Sequence, residues 1–289
     1  MKAHMKLTRQ MTLIFTVALG LALSAHGTVL LDDTWADGTR TDQKLPSKSA
    51  WYSSKRSLLT ATANSMTLAV STGSVMAITY FTTNDVSPVR LNVGDKLTAT
   101  FTLTLGKMAP VNKSLAFRLG LFNFADAKFS PKHVNADKFS TSSQGDGVTG
   151  YALFQNMGAT FNKSTPMDIR KHTTLNTALL STSDDWSSLG TGPGNIDAFP
   201  GFAEGTQYVL QFALQRTGTN SLAIDASWSN TVSGATLATS VTDGVATNFN
   251  FDGIALRSSG FASTTTKIVF HELKVELTPA STTAPAKKP

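Results

Sequence analysis

The chain contains no cysteine among its 289 residues. This absence excludes disulfide bonds, thiolate metal sites, a cysteine nucleophile and attachment as a lipoprotein. Glutamate is scarce too, because Glu204, Glu272 and Glu276 are the only three in the chain. A retaining glycosidase needs two carboxyl groups about 5–5.5 Å apart. The short supply of glutamate therefore weakens the case for that chemistry.

Two common catalytic motifs are absent as well. The sequence has neither the Gly-x-Ser-x-Gly elbow of serine hydrolases nor the His-Glu-x-x-His helix of zinc proteases. Gly190, Gly192 and Gly194 form a glycine run, but no strand-to-helix unit surrounds it, so nucleotide binding is not predicted. The sequence alone identifies no catalytic residue.

The first 27 residues have the pattern of a bacterial secretory signal. Lys2, Lys6 and Arg9 precede an apolar run that ends near Ala25, and small residues follow at Ala25 and Gly27. The run is about 14 residues long, shorter than the roughly 20 that span a bilayer. We therefore predict cleavage after residue 27 and a location in the periplasm or outside the cell, with no membrane span in the mature chain.

The net charge of +6 includes three positive charges from this predicted signal, which contains no acid, so the mature chain carries +3. Lys287 and Lys288 lie in the final residues, and the remaining Lys and Arg are scattered. A nucleic-acid-binding protein presents a dense basic face. The composition therefore argues against nucleic acid as a partner.

Strict alternation of apolar and polar residues dominates the chain. In Lys96–Leu105, Leu, Ala and Phe alternate with Thr, which gives a strand one apolar and one threonine-rich face. Similar segments recur, and Thr217–Asn220 predicts a hairpin turn. The sequence predicts roughly a dozen antiparallel strands and no long helix. We expect an all-β fold, a two-sheet antiparallel β-sandwich.

Long segments interrupt this alternation. The polar stretches Ala125–Gly150 and Ser181–Gly205 are predicted to be loops, and a short helical turn is predicted near Thr173–Leu180. The end of the chain, residues 279–289, is rich in Pro, Thr and Ala and is expected to be a flexible tail. The predicted organisation is a signal at 1–27, one β-sandwich domain at 28–278, and the tail.

Three segments carry a resemblance to a known superfamily: TVLLDDTWADG at the start, QYVLQFALQRTGTNSLAIDASWSN in the middle and TKIVFHELKVEL at the end. The layout resembles the concanavalin A-like lectin/glucanase superfamily, including laminin-G-like jelly rolls, over most of residues 28–278. The resemblance implies that the first and last strands are neighbours in one sheet. Members include lectins, glycosidases, lyases and adhesion modules, so the resemblance does not decide the function.

The polar residues suggest two enzyme hypotheses. Glu272 and Glu276 share one face of the last strand, but that strand is expected at the sheet edge opposite the usual cleft. A polysaccharide lyase needs a base and cationic or amide groups that neutralise a uronate carboxylate. Arg118, Tyr151, Gln155 and Gln211 are candidates for such a cleft, and His172 follows Arg170 in a predicted loop. The Arg and Gln motifs of alginate lyases are absent.

Carbohydrate binding requires less: aromatic rings that stack on sugars and polar groups that fix hydroxyls. Trp186 lies with Asp184, Asp185, Asn195, Asp197, Phe199 and Phe202 in one predicted loop, where the aromatic residues either bind sugar or anchor the loop. The candidate sugar-binding residues are Arg118, Tyr151, Gln155, Trp186, Gln211, Gln215 and Asp225.

No cofactor is predicted. Asp32 and Asp33 are candidates for a structural calcium site, because carboxylate oxygens suit that ion. Two consecutive Asp residues at the end of a strand are also common in turns, where their side chains accept hydrogen bonds from the backbone.

The favoured hypothesis is a secreted, non-catalytic β-sandwich that binds a polysaccharide or a cell-surface glycan. The alternatives are a lyase or glycoside hydrolase of the jelly-roll fold, and a structural envelope or matrix component without a ligand. A deep cleft lined by the lyase candidates would favour the enzyme, and a flat or filled face would favour binding or structure.

Overall fold

The computed structural model describes residues 27–70, 73–83, 87–141, 144–162, 164–174, 178–180, 184–192 and 196–281. The predicted signal, apart from Gly27, and the tail beyond residue 281 lie outside these ranges. Within them, no helix is both long enough and apolar enough to cross a membrane.

The described residues form nineteen strands and two short 3₁₀ turns, Arg56–Leu58 and Phe261–Ser263. The strands are β1 (Thr28–Asp33), β2 (Trp51–Ser53), β3 (Leu59–Thr62), β4 (Ser65–Ala69), β5 (Val75–Tyr80), β6 (Val89–Arg90), β7 (Lys96–Leu105), β8 (Ala109–Asn112), β9 (Phe117–Asn123), β10 (Thr149–Gln155), β11 (Gly158–Phe161), β12 (Met167–His172), β13 (Trp186–Gly192), β14 (Gln207–Gly218), β15 (Ser221–Asn230), β16 (Thr236–Asp243), β17 (Asn250–Phe251), β18 (Gly253–Ser258) and β19 (Lys267–Thr278).

Two large antiparallel sheets pack face to face. The eight-stranded sheet has the order β16-β15-β14-β7-β19-β4-β3, and β1 pairs with the second half of β19. The seven-stranded sheet has the order β13-β12-β10-β9-β18-β5-β2. Two small two-stranded pairings, β8 with β11 and β6 with β17, complete the described structure. The predicted fold class, an all-β two-sheet sandwich, is confirmed.

The period-two pattern explains the eight-stranded sheet. In β7 every second side chain, from Leu97 to Leu105, is buried in the core between the sheets, and the threonines face outward. The same alternation runs through β14 and β15, whose hairpin pairs Tyr208 with Asn230 at one end and Gly218 with Ser221 at the other. This hairpin and the pairing of β1 with β19 agree with the predictions.

The seven-stranded sheet differs because both of its faces are covered. Leu119 and Leu121 of β9 point into the core between the sheets. Phe122 points the other way, into a second hydrophobic cluster formed with residues of the 124–148 segment, Leu179, Leu180 and Trp186. Strands buried on both faces lack clean alternation, which explains why β12, with four of its six residues buried, was not predicted from the sequence. Strand β13 is the edge strand and most of its residues are exposed or partly exposed, so it shows no alternation of apolar residues either.

Several predictions are wrong in detail. The segment Ser181–Gly205 contains strand β13, so it is not a continuous loop. The helical turn predicted near Thr173–Leu180 falls partly on residues 175–177, which lie outside the described residues, so it stays a prediction. Strand β19 lies inside the eight-stranded sheet, between β7 and the pair β1 and β4, and is not an edge strand. In contrast, the polar stretch from Ala125 contains no strand among its described residues until β10 begins at Thr149.

Candidate functional site

An open groove of about 1150 Å³ lies at the edge of the sandwich where β2 and β3 end the two sheets. Three other cavities measure about 350, 290 and 240 Å³. The groove exceeds the usual range for small-molecule sites, about 300–1000 Å³, and suits a segment of a polymer. We call it the edge groove. It is lined by Gly38, Thr39, Arg40, Thr41, Ser54, Lys55, Arg56, Ser57, Leu58, Leu59, Thr60, Ala61 and Lys138.

One wall of the edge groove is the turn that follows β1. Asp33 shapes this turn by accepting hydrogen bonds from the N–H of Trp35 (2.8 Å) and from Ser49 (2.6 and 2.8 Å). Gly38 continues the turn at a φ of 70°, close to the backbone of Ala63, which favours glycine at this point. Arg40 follows and donates to the carbonyl of Trp51 at 2.7 Å.

A distant segment closes the groove. Asp137 accepts hydrogen bonds from Arg40 (2.8 and 3.1 Å) and from the N–H of Ser53 (2.9 Å), and its carboxylate lies 3.6 Å from Arg56 Nε. The N–H of Lys138 donates to the carbonyl of Ser53 at 2.8 Å. The loop that begins after β9 is thereby attached beside β2, and Lys138 reaches the groove.

The edge groove is positively charged. Among the described residues, it is lined by four cations and no carboxylate, and Lys55 and Lys138 have no carboxylate within ion-pair distance. Burial alone would raise the pKa of Asp137, but hydrogen bonds from Arg40 and Ser53 and the charges of Arg40 and Arg56 outweigh burial and lower it. Asp137 therefore stays ionised and offsets part of the charge. The exposed hydroxyls of Thr39, Thr41, Ser57 and Thr60 add polar contacts.

Two further cations lie on the outer face of the seven-stranded sheet. Arg118 of β9 and Arg257 of β18 are direct cross-strand partners and are only partly exposed. Arg118 donates to the carbonyl of Leu180 at 2.8 Å, and Arg257 donates to Ser74 Oγ at 2.6 Å. Burial, together with the charges of Arg257 and Arg170, lowers the pKa of Arg118 to about 10. Burial also lowers the pKa of Arg257.

The lyase candidates do not share one cleft. Tyr151 and Gln155 point into the sandwich, where they are 1% and 0% exposed. Tyr151 donates to Asp243 at 2.8 Å, and Asp243 also pairs with Lys171 at 2.8 Å. Gln211 faces outward from β14 in the other sheet. The predicted grouping of these residues with Arg118 is therefore wrong. Tyr151 and Gln155 point into the core between the sheets, whereas Arg118 and Gln211 lie on the outer faces of different sheets.

Gln215 and Asp225 share the outer face of the eight-stranded sheet with Gln211. Asp225 accepts a hydrogen bond from Ser240 at 2.6 Å and lies 3.5 Å from Lys96 Nζ. On the same face, Glu272 accepts from Thr102 and Glu276 pairs with Lys274 at 2.9 Å. Gln215 donates to the carbonyl of Gly94 at 3.4 Å, and none of these residues lines any of the four cavities given above.

Trp186 is 5% exposed and does not present its ring to solvent. Its ring packs against Phe122, Phe154 and His172, with centroid separations of 5.9, 5.3 and 4.7 Å. Phe199 and Phe202 pack inward as well, around Phe161 and Tyr208. The aromatic residues of the Ser181–Gly205 segment thus anchor it to the sandwich, one of the two roles considered above.

The calcium hypothesis finds no geometric support. Asp32 and Asp33 point to opposite faces of β1, and both oxygens of Asp33 already accept hydrogen bonds from the turn. Among the described residues, no group of three or more His, Asp or Glu side chains could hold a metal ion.

The sequence offers one local signal for the edge groove. Lys55 and Arg56 are adjacent in SSKRS, between two strands. Arg40 and Lys138 are 15 or more positions away from that dipeptide, so only the folded chain brings the four cations together. The pairing of Arg118 with Arg257 was equally hidden, since 139 positions separate them.

No protein-family model matches the sequence, and no curated protein matches it. Solved structures with a similar fold include peanut lectin with a nine-residue peptide (11% identity, TM-score 0.48, 88% of this chain and 98% of that chain). A second is arcelin-5, a lectin-like defense protein from Phaseolus vulgaris (12% identity, TM-score 0.46, 87% of this chain and 98% of that chain). A third is the VIP36 exoplasmic/lumenal domain in its Ca²⁺/Man3GlcNAc-bound form (11% identity, TM-score 0.47, 86% of this chain and 89% of that chain). Legume lectins and the VIP36 domain are concanavalin A-like jelly rolls, the group that the sequence pattern resembles. Similarity at this level concerns the fold alone.

Proposed function

We propose that this chain is a secreted, non-catalytic β-sandwich protein that binds carbohydrate in the edge groove. The observation that carries the proposal is the composition of the groove. Four cationic side chains and several exposed hydroxyls surround a volume of about 1150 Å³, beside a short apolar floor at Leu58 and Leu59. Such a surface offers many hydrogen-bond donors to the hydroxyl and carboxyl groups of a sugar chain.

The non-catalytic part of the proposal is supported by the separation of the candidate catalytic groups. Arg118, Tyr151 and Gln211 occupy three different layers of the sandwich, so they do not converge on one substrate. The predicted signal, which lies outside the described residues apart from Gly27, supports secretion.

The test is a binding measurement on the purified protein with a panel of neutral and acidic polysaccharides. Titration calorimetry should detect binding of at least one member. The double variant Lys55→Gln/Arg56→Gln should weaken that affinity by about tenfold or more, because both exposed side chains lose their charged donors. Lys267→Gln removes an exposed charge from the eight-stranded sheet and serves as the matched control.

The alternatives give different results in the same experiment. Release of reducing ends, or of products with unsaturated-uronate absorbance, would identify an enzyme. An affinity that is unchanged in the Lys55→Gln/Arg56→Gln variant would place the binding site elsewhere. Absence of binding to every polysaccharide would overturn the proposal and leave a structural role.

A further inference from the structure

The charge of the edge groove continues beyond the groove itself. Ser54, which lines the groove, exchanges hydrogen bonds with Met76 of β5. Met76 is the cross-strand partner of Arg257, and Arg257 is the partner of Arg118. Since neighbouring strands lie about 4.8 Å apart, this row places Arg118 about 14 Å from the rim of the groove. The side chains of Met76, Arg257 and Arg118 all point to the outer face of the sheet.

Lys55 connects the groove to the arginines. Its Nζ lies 3.4 Å from the position that a Cβ on Gly73 would occupy, and the next residue, Ser74, accepts the hydrogen bond from Arg257. Lys55, Arg257 and Arg118 therefore form a line of positive charge that leaves the groove and crosses the seven-stranded sheet. We call this line the cationic track.

The track lacks negative partners. Among the described residues, no carboxylate lies within 4.0 Å of Lys55, Arg257 or Arg118. Arg118 Nε is buried and has no hydrogen-bond partner in the part of the chain that the structure describes. Partly buried cations that face one another are unfavourable unless an anion balances them. The next arginine along the sheet, Arg170, illustrates the contrast, because it pairs with Asp168 at 2.7 Å.

Resting on the proposed carbohydrate-binding function, we propose that the ligand is an acidic polysaccharide, lying in the edge groove with carboxylate or sulfate groups on Arg257 and Arg118. The planar guanidinium group binds such anions with two parallel hydrogen bonds. The length of the track requires a ligand that carries negative charges at intervals along a chain. A single small anion cannot contact the whole track.

Nucleic acid is a poorer fit to the same surface. Single-stranded nucleic acids bind through aromatic platforms on which bases stack. The ring beneath Arg118, that of Phe154, is fully buried and is already covered by the guanidinium groups of Arg118 (4.5 Å) and Arg170 (4.7 Å). Phe154 is therefore not available as a platform for stacked bases.

The experiment compares matched probes on the full protein. Dextran sulfate is paired with dextran, and polygalacturonate with its methyl-esterified form, so that each pair differs only in charge and the two pairs separate sulfate from carboxylate. We expect binding of at least one acidic probe and at least tenfold weaker binding of its uncharged partner. Raising the salt concentration from about 0.01 to about 0.1 M shortens the screening length from about 30 to about 10 Å. This change should weaken the binding of the acidic probe and leave the binding of the uncharged probe unchanged.

The variants locate the contact. Arg257→Gln should weaken binding of the acidic probe about tenfold, and Arg257→Lys should retain part of the affinity. Lys267→Gln should leave the affinity unchanged. Arg118→Gln is the second test of the track, with thermal melting of each variant to verify folding. Unchanged affinity in both the Arg257→Gln and Arg118→Gln variants would overturn the inference, as would equal binding of charged and uncharged partners.

Two outcomes separate this inference from the function on which it rests. A neutral polysaccharide that binds and depends on Lys55 and Arg56 would leave the proposed function standing and overturn the acidic ligand. An oligodeoxythymidine that binds more tightly than either acidic polysaccharide at the same salt concentration would overturn both and indicate nucleic acid.

Discussion

Arg40 and Asp137 form a two-pronged ion pair across 97 positions of sequence, with Nη1–Oδ1 and Nη2–Oδ2 distances of 3.1 and 2.8 Å. Both side chains are about nine-tenths buried. The pair joins the turn after β1 to the loop after β9, and it forms the base on which the edge groove is built.

The first prediction concerns this pair. Asp137→Asn should lower the free energy of unfolding by about 2 kcal/mol, because Arg40 loses its counter-charge while remaining largely buried. Chemical denaturation measures the loss. Asp42→Asn is the control, since Asp42 is exposed and its contact with Lys48 should contribute little. An equal effect in both variants would contradict the role given to the buried pair.

The second prediction is the pH dependence of the same contact. The folded pKa of Asp137 is lowered by Arg40, Ser53 and Arg56 against the effect of burial. A carboxyl group with a depressed folded pKa contributes stability above its unfolded pKa, about 3.9, and loses it as the pH falls through the folded value. The stability difference between wild type and Asp137→Asn should therefore shrink below about pH 4. A difference that stays constant down to pH 2 would exclude this linkage.

The third prediction concerns His172, which is buried and donates from Nδ1 to the carbonyl of Val148 at 2.7 Å if that nitrogen carries the proton. Burial lowers its pKa, although Val148 and Asp185 oppose the shift. A histidine with a depressed folded pKa binds more protons when unfolded, so stability falls as the pH drops from about 7 through the unfolded value near 6.5. His172→Asn should remove this part of the pH profile. Thermal melts of both proteins between pH 5 and pH 8 would check it.

The fourth prediction separates anchoring from binding at Trp186. Trp186→Ala removes a buried ring from the cluster with Phe122 and Phe154 and should cost roughly 3–5 kcal/mol of stability. Trp186→Phe should cost less, because it keeps an aromatic ring in the same place. Affinity in the edge groove should be unchanged in any variant that remains folded. A loss of sugar affinity with little loss of stability would instead assign Trp186 to a binding site.

The fold class could be predicted because alternation is a local property. A strand with one buried face repeats every second residue. β7 displays that repeat over all ten of its residues and β15 over its first eight, and β14 and β19 display it over shorter stretches. The candidate site could not be predicted in the same way. Its groups come from the turn after β1, the segment after β2 and the loop after β9, and no local pattern records that they meet.

The sequence by itself therefore determined the two-sheet sandwich and the hairpin between β14 and β15, and the resemblance to the superfamily implied the pairing of the first strand with the last. Tertiary structure decided which polar residues are available. Tyr151 and Trp186 have amphipathic side chains that the sequence allows to be exposed, yet both are buried. Tyr151 lies in the core between the sheets, and Trp186 lies in the second hydrophobic cluster on the outer face of the seven-stranded sheet. Lys55, Arg257 and Arg118 are scattered cations in the sequence, and they align because hydrogen-bonded strands bring residues that are far apart in the chain to within about 5 Å.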